Sequence, residues 1–142
     1  MTLFLPFSGA KIALLQDGHV LIYQRDDKPG IPWPGLWDLP GGGREDDETP
    51  LACAVRESQE EFGITPQAAW VVWEKVYPGQ ASNGLDTWFF VAEVPAGTFE
   101  QVVFGDEGQR WEISTVTAFL ARKDAIGHLQ RRLQEYLDHK KQ

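Results

Sequence analysis

Short apolar runs separated by turn-forming residues dominate the first third of the chain. The run GAKIALLQ at 9–16 and the run HVLIYQRD at 19–26 flank an Asp-Gly pair, which is typical of a tight β-hairpin. Residues 26–35 contain three prolines and two glycines and are therefore predicted to form a loop. The run LWDLP at 36–40 predicts a further short strand.

A helix is predicted to follow, because the segment TPLACAVRESQEEFG carries helix signals at both ends. Thr49 is a favourable N-cap, Pro50 is tolerated in the first turn, and Gly63 stands just past the last helical residue. The segment GGGREDDE at 41–48, which precedes this helix, is predicted to be a loop. The stripe expected to face the core consists of Leu51, Val55, Ser58 and Phe62.

The second half of the chain contains further strand-like runs and ends in a helical pattern. Residues 68–78 and 85–94 predict long strands, and shorter strands are predicted at 100–104 and 110–114. From Phe119 onward, apolar residues recur at helical spacing. Strands before, between and after two helices predict an α/β (α+β) fold in which helices cover both faces of a mixed sheet.

Composition and charge restrict the class of protein and of ligand. The 142 residues suit one domain, 1–142, and a hydrophobic fraction of 42% with six Trp and eight Phe is enough for a packed core. The net charge of −8 disfavours a nucleic acid polymer as a partner. A small phosphorylated molecule could bind only where cations screen its charge, which points toward a bound metal.

Neither the N-terminal segment nor the cysteine count suggests export or a membrane anchor. The segment MTLFLPFSGAK has no positively charged region and reaches Pro6 early, so no signal peptide is expected. No run approaches the roughly 20 apolar residues that span a bilayer. The single cysteine, Cys53, excludes an internal disulfide and is expected to be a small packing residue. The expected location is the cytoplasm.

The predicted helix concentrates negative charge near its C-terminal end. Glu57, Glu60 and Glu61 lie together on one side, where like charges repel each other and the helix macrodipole disfavours anions. A divalent cation would turn both penalties into attraction, and Mg²⁺ or Mn²⁺ prefers such oxygen ligands. Arg56 could orient one of the carboxylates through a forked hydrogen bond. A glutamate-rich helix face is more often simply solvated, so the surrounding residues decide.

The spacing of the surrounding residues follows a known pattern. The positions that define it, with gaps of five, seven, two and one residues, are Gly42, Glu48, Arg56-Glu57, Glu60-Glu61 and Gly63-Ile64. This segment, 42–64, resembles the Nudix box of the Nudix hydrolases, and the chain is similar to the MutT-like members of that family. The one departure is Ser58, which stands where the family usually has an aliphatic residue. Its effect is expected on packing rather than on chemistry.

The resemblance implies a fold, a reaction and a set of roles. It implies the Nudix α/β/α sandwich and Mg²⁺-dependent hydrolysis of a nucleoside diphosphate linked to another group, with Mn²⁺ as an alternative ion. Such a metal activates water and shields the diphosphate, and a carboxylate takes the proton. Glu48 and Gly63 are implied to support the structure of the motif. The implied metal ligands are the Gly42 carbonyl, Glu57, Glu60 and Glu61, and the implied catalytic residues are these three glutamates with Arg56.

The resemblance to MutT-like proteins points to further residues outside the box. Glu107, in FGDEGQRWE, resembles a loop glutamate that serves as an additional metal ligand or base, although it could equally belong to a polar turn; Asp106 is its nearest rival. Arg25 ends the second predicted strand, where these proteins commonly have a phosphate-binding arginine, although a strand-end arginine is often merely exposed. Lys28 and Arg44 are weaker candidates for binding substrate phosphate.

Aromatic side chains suit a nucleobase, because a base can stack on their rings. Trp33 lies in the proline-rich loop without an obvious burial partner and is the preferred lid residue over the substrate. The three histidines stand far apart and are expected to be ordinary surface or helix residues. The aromatic residues on the long predicted strands, which are more often core residues, are Trp70, Trp73, Tyr77 and Trp88.

The substrate is less constrained than the reaction class. MutT-like proteins that act on oxidised guanine nucleotides tend to carry an asparagine near the start of the last helix, where this chain has ARKDAIGHLQ with Asp124 as the nearest polar residue. Three hypotheses stay open. The first is a MutT-type pyrophosphohydrolase of (d)NTPs or modified nucleotides that gives NMP and pyrophosphate. The others are a pyrophosphatase for ADP-ribose, NADH or dinucleoside polyphosphates, and a non-catalytic nucleotide-sensing module. Monomer and homodimer also both stay open.

Overall fold

The structure is a computed structural model that describes residues 6–141. Residues 1–5 and 142 lie outside this description, and with them part of the segment for which no signal peptide is expected. No helix in the described range is long and apolar enough to cross a membrane. The strands are β1 (Phe7–Gln16), β2 (His19–Gln24), β3 (Trp37–Asp38), β4 (Gly41–Gly43), β5 (Val71–Tyr77), β6 (Asp86–Glu93) and β7 (Arg110–Thr115). The helices are α1 (Pro50–Phe62), α2 (Val116–Ala121) and α3 (Gly127–Lys140), with 3₁₀ turns at Ala68–Trp70 and Phe99–Gln101.

The hairpin predicted at the start of the chain is confirmed. β1 and β2 pair in antiparallel orientation, and two residues, Asp17 and Gly18, connect them. Their φ angles are 50° and 75°. Positive φ at both central positions matches the twist of the flanking strands, and Asp-Gly is one of the residue pairs that adopts it most readily.

All seven described strands belong to one mixed sheet. Its order is β3-β2-β1-β6-β5, with β4 paired to β1 and β7 paired to β2. β1 and β6 run parallel over most of their length, from Phe7 opposite Asp86 to Leu15 opposite Glu93. The remaining pairs are antiparallel. The prediction of a mixed sheet is therefore confirmed.

Helices cover both faces of the sheet, because successive strand residues point to opposite faces. In β1, Ile12 and Leu14 belong to the core that contains α1, whereas Ala13 and Leu15 belong to the core that contains α3. This arrangement confirms the expected α/β/α sandwich. The α1 core also includes Leu21, Tyr23, Phe62 and Phe90, and the α3 core includes Ile22, Phe89, Phe119, Leu129 and Leu133.

The strand predicted at 100–104 is wrong, because this segment satisfies the end of α1 instead of joining the sheet. Val103 N donates to the carbonyl of Phe62 at 2.9 Å, and Gly105 N donates to the carbonyl of Glu61 at 2.9 Å. The last carbonyls of a helix lack partners within the helix itself. The segment that precedes Glu107 is thus attached directly to the end of the motif helix.

Two other segments also differ from the prediction. Gly41–Gly43, predicted as part of a loop, forms β4 against β1. The helical tail divides into α2 and α3, because the residues between them bond to β3 instead. Trp37 N donates to the carbonyl of Asp124 at 2.8 Å, and Ile126 N donates to the carbonyl of Trp37 at 3.0 Å.

The limits of α1 are those that the sequence predicts. Thr49 is the N-cap, and its hydroxyl accepts a hydrogen bond from Ala52 N at 3.1 Å. Gly63 ends the helix with a φ of 70°, and its N–H donates to the carbonyl of Gln59 at 2.9 Å. Glycine adopts this left-handed conformation without steric cost, which explains the sharp stop.

The buried face of α1 is rotated relative to the predicted stripe. Ser58 and Phe62 are buried as expected, but Leu51 and Val55 are only half-buried. Small residues take their place: Cys53, as predicted, is a packing residue, and Ala54 beside it is also wholly buried. The Ser58 hydroxyl donates to the carbonyl of Ile64 at 2.9 Å, so a hydroxyl is satisfied where an aliphatic residue is usual in the family. The same rotation turns Glu61 inward.

Candidate active site

One guanidinium, that of Arg56 in the middle of α1, organises the acidic cluster. Its Nε donates to Glu48 Oε2 at 2.7 Å, and its Nη1 donates to Glu57 Oε1 at 3.0 Å and to Glu60 at 3.2 Å. Its Nη2 donates to the carbonyl of Gly43 at 2.8 Å. The hydrogen bond from Arg56 lowers the pKa of Glu48, and the carboxylates raise the pKa of Arg56. The loop before the helix is therefore tied to the helix by charge-assisted bonds.

The Glu57 carboxylate occupies the space that a side chain at position 42 would fill, so it requires a glycine there. A methyl group built on Gly42 would lie 2.6 Å from the carboxyl carbon of Glu57, well inside the contact distance. Glu57 is half-buried there, and burial raises the pKa of its carboxyl group. The carbonyl of Gly42 accepts a hydrogen bond from Cys53 Sγ at 3.5 Å. Its predicted role as a metal ligand stays a prediction.

Glu61 has surroundings unlike those of Glu57 and Glu60. Its side chain is only 6% exposed, and burial raises its pKa to about 8. Oε1 accepts from Gly41 N at 3.0 Å, and Oε2 lies 3.0 Å from the hydroxyl of Tyr23. The three glutamates that the sequence groups together are therefore one exposed, one half-buried and one buried carboxylate.

The hydroxyl of Tyr23 lies between two carboxylates. It is 3.0 Å from Glu61 Oε2 and 3.2 Å from Asp38 Oδ2, yet a phenol has a single proton to donate. Both contacts are satisfied when Glu61 carries a proton and donates it to Tyr23, which in turn donates to Asp38. The raised pKa of Glu61 agrees with this proton count.

The chemistry of the cluster suits a hard divalent cation. Four carboxylates, those of Glu45, Glu48, Glu57 and Glu60, share the one cation of Arg56 at 2.7–3.5 Å, so the cluster keeps an excess of negative charge. The side-chain atoms of the cluster that could coordinate a metal are carboxylate oxygens, the type of ligand that Mg²⁺ and Mn²⁺ prefer. Among residues 6–141, no three His, Cys, Asp or Glu side chains already form a metal cage. In this arrangement Arg56 and the Gly41 amide hold carboxylate oxygens that a cation would use.

A cleft of about 190 Å³ brings several predicted residues from outside the box together. Arg25, Lys28 and Glu107 line it, along with Tyr23. Asp106, the rival of Glu107, is not among the lining residues. Two cations and two carboxylates, those of Glu107 and of Asp26, thus meet at the cleft that also contains Tyr23, the neighbour of Glu61, and Asp26 pairs with Lys28 at 3.9 Å. This is where a charged phosphate chain could reach the acidic cluster.

A second cavity of about 190 Å³ lies against the glycine-rich strand β4. Gly42 and Gly43 line it, together with Lys11, His128 and Arg132. Burial, and then the nearby Arg132, lowers the pKa of His128 to about 4, so its imidazole is neutral at neutral pH. Nothing in the sequence separates His128 from the other two histidines.

The proposed lid residue, Trp33, does not line this second cavity but contacts His128, which does. Trp33 is 48% exposed, and its ring centre lies 5.8 Å from that of His128. Its φ of 54° is unusual for a bulky residue. The loop that carries it is held by Arg25, whose Nε donates to the carbonyl of Pro32 at 2.9 Å.

Two other residues considered for substrate binding, Arg44 and Asp124, are engaged by neighbouring residues of the chain. The guanidinium of Arg44 lies over the Phe7 ring at 4.4 Å, and its Nε donates to the carbonyl of Glu48 at 3.0 Å. Asp124 is exposed, and its carboxylate pairs with Arg122 at 3.2 Å. The substrate-binding role of Arg44 stays a prediction.

Sequence reasoning missed a group of residues beside these clefts. Asp38 is wholly buried and binds Lys11 Nζ at 2.9 Å and Arg25 Nη1 at 3.0 Å. The available signal was the run LWDLP, in which an aspartate sits within an apolar strand. A carboxylate buried with such a strand has to be paired with cations and hydrogen-bond donors.

The raised pKa of Glu61 predicts a pH-dependent stability in chelator-treated protein. Because its folded pKa, about 8, exceeds its ordinary value of 4.5, its stabilising contribution is complete below pH 4.5 and is lost as pH rises through 8. Glu61→Gln mimics the protonated form. Thermal unfolding should show similar stability of both proteins near pH 5, and near pH 8.5 an advantage for the variant on the order of 1 kcal/mol or more. Parallel curves of stability against pH would contradict this assignment.

The contact between Gly42 and Glu57 predicts a selective loss of activity in Gly42→Ala. The added methyl group displaces the end of a flexible side chain, so the free energy of unfolding should change by less than about 1 kcal/mol. The displaced carboxylate should lower kcat/KM by about tenfold or more. Gly127→Ala, at the start of α3, is the matched control, because the added methyl group there also meets only the end of a flexible side chain, Arg131 Nη1 at 3.3 Å. Equal activity of Gly42→Ala and wild type would show that this position of Glu57 is unimportant.

Comparison with known proteins places this geometry in a family. The model of the NUDIX domain matches residues 6–136. An 8-oxo-dGTP diphosphatase of Escherichia coli K12 is 39% identical over 75 residues, which cover 53% of this chain and 54% of that relative. The chain thus spans about half the length of this relative.

Solved structures share the fold over a longer stretch. A MutT protein from Methanosarcina mazei Go1 superposes with a TM-score of 0.73 at 19% identity, covering 96% of this chain and 97% of that one. A bifunctional NMN adenylyltransferase/ADP ribose pyrophosphatase from Francisella tularensis, complexed with AMP and a Mn ion, is 26% identical with a TM-score of 0.58. The match covers 82% of this chain and 37% of that one. Because the box lies at 42–64 and the family model matches nearly the whole length of the chain, the chain belongs to the NUDIX domain family.

Proposed function

We propose that the chain, as a single domain of residues 1–142, hydrolyses a nucleoside diphosphate-linked compound with the help of a divalent metal. The observation that carries this proposal is the excess of carboxylates around Arg56, set beside a cleft in which Arg25, Lys28 and Glu107 meet. The cluster offers oxygen ligands to a cation, and the cleft offers cations to a phosphate chain.

The proposed roles follow from the positions of the side chains. Arg25 and Lys28 bind phosphate oxygens in the cleft, and the box glutamates hold Mg²⁺, or Mn²⁺ in its place. A bound metal would supply activation of water and screening of the phosphate charge. Glu107, the exposed carboxylate of the cleft, is a candidate to take the proton of the attacking water, as are Glu57, Glu60 and Glu61. Arg56 keeps those glutamates in place.

The substrate that we propose first is a (d)NTP or a modified nucleotide, cleaved to NMP and pyrophosphate. The support is the resemblance of 75 residues of the chain to the E. coli 8-oxo-dGTP diphosphatase. The cavity beside Gly42 is lined by Trp88 and by the neutral His128, which Trp33 contacts, and it offers aromatic surface to a base. The region from Arg122 to the start of α3 has no asparagine, which argues against 8-oxo-dGTP itself.

A second candidate is the hydrolysis of ADP-ribose, NADH or a dinucleoside polyphosphate. The Francisella tularensis structure favours it, because that protein shares the fold, is a bifunctional NMN adenylyltransferase/ADP ribose pyrophosphatase, and holds AMP and a Mn ion. A non-catalytic sensing module is the weakest candidate, since this chain keeps every glutamate of the box. We further propose a cytoplasmic setting, consistent with a buried free thiol at Cys53, and a monomer or homodimer.

A nucleotide panel tests the proposal. Wild type would be incubated with Mg²⁺ and canonical dNTPs, 8-oxo-dGTP, ADP-ribose, NADH or diadenosine polyphosphates, and the products identified by chromatography. We expect NMP and pyrophosphate from a triphosphate, no turnover in the presence of a chelator, and a loss of at least about 100-fold in Glu57→Gln.

The matched control is Glu100→Gln, which changes an exposed glutamate outside the site in the same way and should keep full activity. Turnover of ADP-ribose, NADH or a dinucleoside polyphosphate alone would favour the second candidate. Binding of one nucleotide without turnover of any would support the non-catalytic sensing module instead. Equal turnover with and without the chelator would contradict the metal-dependent proposal.

A further inference from the structure

One buried carboxylate lies between the two halves of the candidate site. Asp38, in β3, is 0% exposed, and its Oδ1 accepts from Leu39 N at 2.7 Å. Its Oδ2 accepts from Lys11 Nζ at 2.9 Å and from Arg25 Nη1 at 3.0 Å, and it lies 3.2 Å from the Tyr23 hydroxyl. A carboxylate with four such partners is fixed in one place, and it fixes its partners in turn.

We propose that Asp38 is a positioning residue that holds Arg25 and, through Tyr23, Glu61 in a fixed relation to each other. The inference rests on the proposed function, because it treats Arg25 and Glu61 as parts of one substrate-binding site. Neither Asp38 nor Tyr23 belongs to the box at 42–64, so the motif does not assign them a role.

The first arm of the arrangement fixes the direction of the Arg25 guanidinium. Nη1 donates to Asp38 at 3.0 Å, and Nε donates to the carbonyl of Pro32 at 2.9 Å. Because the guanidinium is planar, two fixed corners determine where the Nη2 corner points. Arg25 also lines the cleft that contains Lys28 and Glu107. The remaining N–H groups are thus set in advance for a phosphate oxygen in that cleft.

The second arm fixes Glu61 from two directions. The Tyr23 hydroxyl, which also contacts Asp38, lies 3.0 Å from Glu61 Oε2. The amide of Gly41 donates to the other oxygen of Glu61 at 3.0 Å. With both oxygens engaged, the carboxyl group has one orientation, and one of its two partners is itself held by Asp38.

Lys11 connects the same aspartate to the Gly41 amide. Its ammonium donates to Asp38 at 2.9 Å and to the carbonyls of Leu39 and Gly41 at 3.2 Å each. These contacts engage all three of its N–H donors, so Lys11 ties down the chain from Asp38 to Gly41. Asp38 therefore reaches Glu61 by two routes, through Tyr23 and through the Lys11-bound segment.

The charge of Asp38 matters as well as its shape. It brings the two cations Lys11 and Arg25 to a single oxygen atom, where they would otherwise repel each other. An asparagine at this position keeps the size of the side chain but removes the charge that draws the cations together. Asp38→Asn should therefore release Arg25 from its fixed direction without creating a cavity.

The experiment compares wild type, Asp38→Asn and Asp17→Asn, the last being a matched change in an exposed turn. The measurements are kcat and KM on the best nucleotide, the affinity for inorganic pyrophosphate by calorimetry, and the affinity for Mn²⁺ by electron paramagnetic resonance. We expect Asp38→Asn to raise KM and the pyrophosphate Kd about tenfold, since a charge-assisted contact is lost. Asp17→Asn should change neither. Unchanged pyrophosphate affinity in Asp38→Asn would overturn the proposal.

Double variants separate positioning from a general structural role. If Asp38 acts on phosphate binding through Arg25, then Asp38→Asn should raise KM no further in an Arg25→Ala background. A side chain that only stabilises the fold would add its effect to that of Arg25→Ala. Additive effects on KM would therefore overturn the Arg25 arm.

Tyr23→Phe tests the second arm and removes only one hydroxyl group. It should weaken Mn²⁺ binding about tenfold and lower kcat, because the orientation of Glu61 is lost, while KM stays near the wild-type value. The opposite split, a raised KM with unchanged kcat and Mn²⁺ affinity, would overturn the Glu61 arm.

If Asp38→Asn does not fold, a charge-matched double variant keeps the proposal testable. Lys11→Met combined with Asp38→Asn removes one cation and one anion, so the net charge of the cluster is unchanged. Circular dichroism and thermal unfolding verify the fold of this double variant. It should still bind pyrophosphate about tenfold more weakly than wild type does. Wild-type affinity in the folded double variant would overturn the proposal.

Failure of the proposed function would look different from failure of this inference. A wild-type protein that hydrolyses no nucleotide, but binds Mn²⁺ and pyrophosphate, would contradict the function alone. In that protein, weaker binding of pyrophosphate by Asp38→Asn and of Mn²⁺ by Tyr23→Phe would still support the positioning role. Wild-type affinities in both variants would overturn it.

Discussion

The crowding of carboxylates around a single guanidinium is the constraint on which the rest of the site depends. Within residues 6–141, Arg56 is the one side chain that forms ion pairs with Glu45, Glu48, Glu57 and Glu60, and these bonds attach the loop before α1 to the helix. The attraction orders the loop, but one positive charge cannot neutralise four negative ones. The protein therefore gains a well-ordered motif that still favours an additional cation.

The mixed sheet places two other kinds of chemistry beside this cluster. β2 brings Tyr23 and Arg25 to the edge where β3 brings Asp38, and β4 brings the glycines against β1. The segment after β6 bonds to the end of α1 and leads to Glu107. Cations for a phosphate chain and carboxylates for a metal thus come from separate elements, and the sheet sets the distance between them.

Local signals made part of this arrangement predictable. The limits of α1 follow from Thr49 and Gly63, and the box glutamates follow from their spacing, because both depend only on neighbours in sequence. The unequal burial of the glutamates was not predictable, since it depends on how closely the helix approaches the sheet at Cys53 and Ala54. Asp38 was missed for a related reason: its side-chain partners come from β1 (Lys11) and from β2 and the residue after it (Tyr23 and Arg25), and the pairing of β2 with both β1 and β3 brings them together.

A titration of chelator-treated protein with Mn²⁺ at pH 8 tests whether the acidic cluster is a site for a divalent cation. Electron paramagnetic resonance of the free ion would follow binding in wild type and in the double variant Glu57→Gln/Glu60→Gln. If the cluster holds the cation, wild type should bind Mn²⁺ saturably, and the affinity of the double variant should be at least about tenfold weaker. Equal affinities would contradict a cation site there, because the cluster around Arg56 would then be a structural ion-pair network and no more.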